Sequence, residues 1–183
     1  MRTFVAIPLP ADCRNILESL QRGMRAFQAD VRWTSVTSIH LTLKFLGEID
    51  RLLVPRLAAV LRTEVAGPGF TLKVGGLGGF PDLKNPRVMW AGIGGETENL
   101  AGLQSQVERA CVQAGFPKED RPFHPHLTLG RVQGKRNLQP LVDYIKIGVS
   151  SECAFCVDHF HIYESVLTPR GAQYRILERI ELT

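Results

Sequence analysis

The sequence lacks the features that would place it in a membrane, a fibre or an oxidised scaffold. No stretch approaches the ~20 uninterrupted apolar residues that a membrane span requires. The opening MRTFVAIPLPADCRN is interrupted by Asp12 and Arg14 before a leader region with a cleavage site can form, so a cytoplasmic location is expected. Cys13, Cys111, Cys153 and Cys156 are the only cysteines in 183 residues. That is too few for a disulfide framework, and a chain of this length builds its core without one. Charge of one sign is scarce as well. The 22 Lys+Arg exceed the 18 Asp+Glu by a net +4, which leans toward an anionic partner but falls far short of a nucleic-acid coat protein. No linker or low-complexity segment divides the chain, so residues 1–183 are read as one domain. The remaining composition, 44% hydrophobic and 22% charged, is that of an ordinary globular α/β-type protein.

The hydrophobic periodicities predict mixed elements. A β-branched and aromatic run over residues 2–8 reads as a strand, and Pro10 opens a helix to about residue 28 with apolar side chains at three-to-four spacing. Val31–Thr34 and His40–Leu46 read as strands, and Asp50 as the cap of a helix to Val65. Phe70–Val74 and Arg87–Ile93 form an expected β-pair, with the glycines from Gly75 to Gly79 as a turn and FPDLKNP as a loop. Thr97 is expected to cap a helix to Ala114, closed by Gly115. Then come a strand at His126–Val132, a helix at Leu138–Ile147, and two closing strands at Ser151–Glu164 and Ala172–Leu182. This order favours α+β over a doubly wound parallel sheet.

One tetrapeptide occurs twice. His40-Leu41-Thr42-Leu43 returns as His126-Leu127-Thr128-Leu129, 86 residues later, and each copy lies in an extended stretch. On a strand, residues i and i+2 share a face, so each His and its Thr point one way while the leucines point into the core. Two such strands facing one another would assemble a compact set of groups. Imidazoles with ordinary pKa near ~6.5 supply a base and an acid together around neutrality. Threonine hydroxyls supply hydrogen bonds to phosphoryl oxygens. In-line attack at phosphorus needs these parts and no carboxylate pair.

At this point the sequence resembles the two-histidine phosphoesterases, whose signature is a pair of HxTx motifs, and within them the RNA 2',3'-cyclic phosphodiesterase or 2'-5' RNA ligase branch. RTFVAIPLP, HLTLKFLGEI, GGFPDLKNPRVMWAGI, RPFHPHLTLGRV and HIYESVLTPRGAQYRIL carry the resemblance over nearly the whole length. It implies a bilobal α+β fold, two related lobes of antiparallel sheet plus helices, each lobe contributing one motif to a cleft. It implies His40 as proton donor, His126 as proton acceptor, Thr42 and Thr128 as phosphate-binding residues, and Arg131 as a fixed positive charge on the phosphate. The sequence itself is symmetric between the two histidines.

The implied activity is hydrolysis of RNA 2',3'-cyclic phosphate ends to 2'-phosphates, with 2'-5' ligation as the reverse reaction. No cofactor, metal or membrane is implied, and a monomer is expected. A small cyclic nucleotide or ADP-ribose-type cyclic phosphate is the alternative substrate, and a non-catalytic RNA-end binding module the alternative role.

Other conspicuous residues are given plainer readings. His124 with His126, and His159 with His161, have chelating spacing but lack a third ligand in sequence. Cys153 and Cys156 have redox-motif spacing, but on a strand they face opposite ways and are read as buried, inert thiols. Phe45, Phe80, Trp90 and Phe123 are read as core, and basic residues such as Lys44, Arg121 and Arg170 as solvated.

Overall fold

The TFVAI run forms β1 (Arg2–Ile7), buried from Thr3 onward, and the helix expected after Pro10 is α1 (Ala11–Arg25). Pro10 itself is the N-cap, extended, with no side chain bonding back to the helix. In the computed structural model, which describes residues 1–148, 151–168 and 171–183, the chain continues through β2 (Val31–Trp33), β3 (Leu41–Glu48) and α2 (Val54–Glu64). It then forms β4 (Phe70–Phe80), β5 (Val88–Gly95), α3 (Thr97–Gln113), β6 (His126–Val132) and α4 (Leu138–Ile147). Three strands close it: β7 (Glu152–Val157), β8 (His159–Thr168) and β9 (Gly171–Glu181). The architecture is α+β, with two antiparallel sheets in the orders β3-β1-β8-β9 and β2-β6-β5-β4-β7.

Helices α2 and α3 pack on the four-stranded sheet, and α1 and α4 on the five-stranded one. The chain therefore changes sheet repeatedly. β1 belongs to the first sheet, yet the helix after it covers the second; β5 belongs to the second, yet the helix after it covers the first. This interleaving is the physical reason that no linker is visible in the sequence. On α1 the apolar stripe Cys13, Leu17, Leu20 and Met24 is fully buried, each leucine contributing about 2 kcal/mol. Gln21, on the same helix, donates to Thr34 O at 2.7 Å and Leu129 O at 2.8 Å. It thereby fastens α1 to the end of β2 and to the second motif strand.

Several local expectations are corrected. Asp50 does cap, accepting from Leu52 N at 2.9 Å, but it caps a 3-10 turn (Arg51–Leu53) that precedes α2. Thr97 is the first helical residue rather than the cap. The N-cap is Glu96, whose carboxylate instead accepts from Thr71 N and Asn99 Nδ2. The glycine run is not a turn but the second half of β4, with a bulge at Gly76, where φ is +70°. Two residues on, glycine is required for a different reason. The Trp90 indole of β5 lies across Gly78, and a Cβ there would stand 2.2 Å from its ring. The stretch Ser151–Glu164 is two strands, since β7 joins the five-stranded sheet and β8 the four-stranded one.

Gly78→Ala is expected to destabilise the protein by about 2 kcal/mol, the usual cost of overpacking a fitted site. Trp90 also packs on Phe80, which abuts His126, so turnover falls with it. Urea unfolding followed by tryptophan fluorescence tests this, and an unshifted midpoint would refute it.

The cysteine reading is corrected in part. Cys13 and Cys111 are buried, but Cys153 is half-buried and Cys156 exposed. Cys13 Sγ donates to Cys153 Sγ across 2.6 Å, and burial together with that contact pushes the Cys13 thiol up to about 12.

Candidate active site

The two motifs sit on different sheets, with Thr42 on β3 and His126 and Thr128 on β6; His40 stands one residue ahead of β3. The leucines between them, Leu41, Leu43, Leu127 and Leu129, are buried at 4% exposure or less. The alternation therefore leaves the His and Thr side chains on the opposite face. All four, with Arg131, line one cavity of ≈ 720 Å³, so the expected residues are brought together as a set.

The histidines are held in the same way. His40 Nδ1 lies 3.1 Å from Ser38 O and His126 Nδ1 lies 2.7 Å from His124 O, in each case the carbonyl two residues earlier. A carbonyl only accepts, so each Nδ1 carries a proton, and the ring when neutral keeps its lone pair on Nε2. Aromatic rings complete the mounting. His40 stacks on Phe4 at 4.4 Å and meets Tyr174 edge-on at 4.9 Å, and Phe80 meets His126 edge-on at 4.9 Å. Burial among these rings lowers the His40 pKa from 6.5 to about 4, against the weaker opposing effect of the Ser38 carbonyl. That burial leaves His40 neutral at pH 7.

Positive charge dominates the lining. Arg2 from β1 and Arg131 from β6 make no ion pair among the described residues, and both act on the Tyr174 hydroxyl, whose pKa burial raises. Guanidinium groups from the two sheets thus converge near His40. Arg121 is engaged by Glu119, through Nε at 2.9 Å and an Nη at 3.0 Å, which lowers the Glu119 pKa to about 2. Lys44 corrects the expectation of a solvated side chain. It is 6% exposed and bonds Glu108 Oε1 at 2.7 Å and Pro117 O at 2.8 Å. Arg170 lies outside the described residues.

Sequence reasoning missed Arg2, Phe4 and Tyr174. Alternation along β1 puts Arg2 and Phe4 on one face, but only the packing of the sheets shows that this face looks into the cavity. Phe45, Phe80 and Phe123, expected as core, line it too, whereas Trp90 does not. His161 is buried outside the lining and bonds Tyr163 OH at 2.8 Å, while His159 Nδ1 lies 2.5 Å from Asp158 Oδ1. Among the described residues no group of three His, Cys, Asp or Glu converges as a metal site.

Two HxTx strands facing one cavity from separate antiparallel sheets define the chain as a protein of the two-histidine phosphoesterase fold. It belongs to the 2'-5' RNA ligase superfamily, whose family model matches residues 10–168. A relative from Thermotoga maritima, named RNA 2',3'-cyclic phosphodiesterase, is 36% identical over 97% of this chain and 93% of its own. Two solved structures superpose over 100% of this chain and 98% of theirs. The protein TT0787 of Thermus thermophilus does so with a TM-score of 0.81 at 27% identity. Escherichia coli LigT in complex with 3'-AMP does so with a TM-score of 0.78 at 28% identity.

Proposed function

We propose that the protein hydrolyses RNA 2',3'-cyclic phosphate ends to 2'-phosphates. The observation that carries this reading is the pair of histidines, each held at Nδ1 by a backbone carbonyl so that Nε2 is left for the reaction, in one cavity with two threonines and two arginines that make no ion pair among the described residues. The cavity volume suits a nucleotide, and the relatives' names support the substrate class. We read residues 1–183 as one domain of two pseudo-symmetric lobes, acting as a monomer. Four free cysteines accord with a cytoplasmic location.

In this mechanism His126 Nε2 takes a proton from water as its oxygen attacks phosphorus. The P–O3' bond breaks and His40 gives its proton to the departing 3'-oxygen, leaving the phosphate on the 2'-oxygen. Thr42, Thr128 and Arg131 hold the non-bridging oxygens as charge builds on them. With a 5'-hydroxyl in the place of water, the same displacement breaks the P–O3' bond and joins the cyclic end to that strand as a 2'-5' linkage, and its reversal cleaves such a linkage back to a cyclic end. The test is an oligoribonucleotide ending in a 2',3'-cyclic phosphate, incubated with the protein in EDTA, with the product isomer resolved. A 2'-phosphate is the expected product; a 3'-phosphate, or an untouched end, would defeat the proposal.

His40 must be protonated to act as the acid, yet its burial leaves it neutral above about pH 4. The bound phosphate monoanion provides the compensating charge, raising its pKa in the complex. A group whose pKa rises on binding takes up a proton between its free and bound values, so affinity increases as pH falls through that window. The phosphodiester itself does not titrate there. Calorimetry of a nucleoside 2',3'-cyclic phosphate binding to the His126→Ala protein, run in two buffers of different ionisation enthalpy, is expected to show this uptake between pH 5 and 7. Binding without proton exchange, with pH-independent affinity, would reverse the assignment of the acid.

A further inference from the structure

A second groove lies behind the wall of the catalytic cavity. The segment from Thr34 to Ile39 passes from β2 in one sheet to β3 in the other, and its residues face two spaces. Thr34, Ser38 and Ile39 line the catalytic cavity, whereas Ser35, Val36 and Thr37 line a groove of ≈ 530 Å³ closed on its far side by α1. The wall is a single 3-10 turn, Val36–Ser38, which at ~2 Å rise per residue is about 6 Å long.

The helical wall presents Arg14, Glu18, Arg22 and Arg25 at three-to-four spacing, and hence on one face. Three cations stand against one carboxylate, and none of the arginines makes an ion pair among the described residues. Arg25 is held by Gln21 Oε1 at 3.4 Å and over the Trp33 ring at 5.5 Å. Gln21 in turn holds Thr34 and Leu129, so the arginine face is tied to the wall and to the second motif strand. Ser35 and Thr37 add hydroxyls, bonded to each other at 2.9 Å. Arginines that were merely solvated would not need to converge on a concavity sharing a wall with the cavity. The groove lining is cationic and hydroxylated, which suits a chain of phosphates.

We propose that this groove binds the backbone phosphates of the nucleotides 5' to the cyclic end, so that the substrate is an RNA strand rather than a mononucleotide. The inference rests on the proposed cyclic-phosphate hydrolysis. The terminal nucleotide occupies the cavity, and its 5'-phosphodiester leads over the Ser35–Ser38 wall to Arg14 and Arg22.

The test compares the wild-type protein with Arg14→Gln/Arg22→Gln, leaving Arg25 on Trp33. The substrates are cytidine 2',3'-cyclic phosphate and a hexaribonucleotide with the same terminus. The variant is expected to raise KM for the hexamer about tenfold at 0.1 M salt, with kcat unchanged. Its log KM against log salt slope should be shallower by about 1.4, for two phosphate contacts on a single strand. The mononucleotide kcat/KM should stay within twofold, and Arg14→Lys/Arg22→Lys should restore most of the hexamer KM. An unchanged hexamer KM and slope, or an equal loss on both substrates, overturns the groove.

A hexamer with a plain 3'-hydroxyl, bound without turnover and followed by fluorescence anisotropy, reads the groove independently of catalysis. Weaker binding by the variant supports the groove and equal binding overturns it, even if the wild type cleaves neither cyclic substrate. That last result would defeat only the proposed hydrolysis.

Discussion

Replacing His126 by alanine is expected to lower kcat on a 2',3'-cyclic phosphate end by about 10³-fold, with the fold intact. The size follows from the role, since a positioned general base is worth 10²- to 10⁴-fold. His126 is half-buried at the start of β6, and among the described residues its ring is anchored through Nδ1 and the perpendicular contact with Phe80, so truncation costs little packing. His40→Ala should cost a similar factor, with a greater loss of stability because His40 sits between Phe4 and Tyr174. The double variant should be little worse than either single, because acid and base act in one concerted step. Single-turnover assays with a 5'-labelled oligonucleotide, alongside thermal unfolding, measure this. A multiplicative loss in the double variant would show that the two histidines act in separate events.

Lys44→Ala is expected to destabilise the protein by about 3 kcal/mol, as is usual when one partner of a buried ion pair is removed and the other charge is left behind. The Lys44 and Glu108 side chains are 5% and 15% exposed, and Glu108 Oε1 also accepts from Glu119 N at 2.8 Å. One ammonium therefore joins β3 to α3 and, through Pro117 O, to the segment that runs on to Arg121 and His126. Because that segment lines the cavity, kcat/KM should fall together with stability. Lys44→Met/Glu108→Gln removes both charges, keeps an amide oxygen for Glu119 N, and should unfold at higher urea than Lys44→Ala. If the two proteins unfold at the same urea concentration, the pair contributes through packing alone and the charge argument fails.

Much of the candidate site was legible because the residues that line it together follow a local pattern. A His and a Thr two residues apart on a strand necessarily share a face, and apolar leucines between them necessarily take the other. The repeat therefore disclosed His40, Thr42, His126 and Thr128 without any knowledge of how the strands meet. The errors fell where a residue's meaning depends on a distant neighbour. The glycines from Gly75 to Gly79 read as a turn because nothing nearby announces that Trp90 needs a flat place to lie. Lys44 read as solvated because its partners, Glu108 and Pro117, come from another element.

The break inside Ser151–Glu164 did leave a trace. Buried Phe155 and Val157 fall on odd positions while Phe160 and Ile162 fall on even ones, and a slip of one residue is what a strand shows when it changes face or sheet. The outward alternation of Arg2 and Phe4 was equally visible, but it named no cavity.

The sequence by itself determined the α+β order of elements, the two motif strands and the buried leucines behind them, because these rest on periodicity and short spacing, and its motif segments carried the resemblance to the family. The tertiary structure alone decided which faces meet. It set Arg2 and Arg131 on opposite walls near Tyr174, wedged His40 between two rings and thereby lowered its pKa, and buried Lys44 as a tie to α3. It also placed the arginines of α1 behind the cavity wall. Each of these brings together residues far apart in the chain, across one sheet, between the two sheets or from a helix that covers the other sheet, and such long-range packing leaves no local period in the chain.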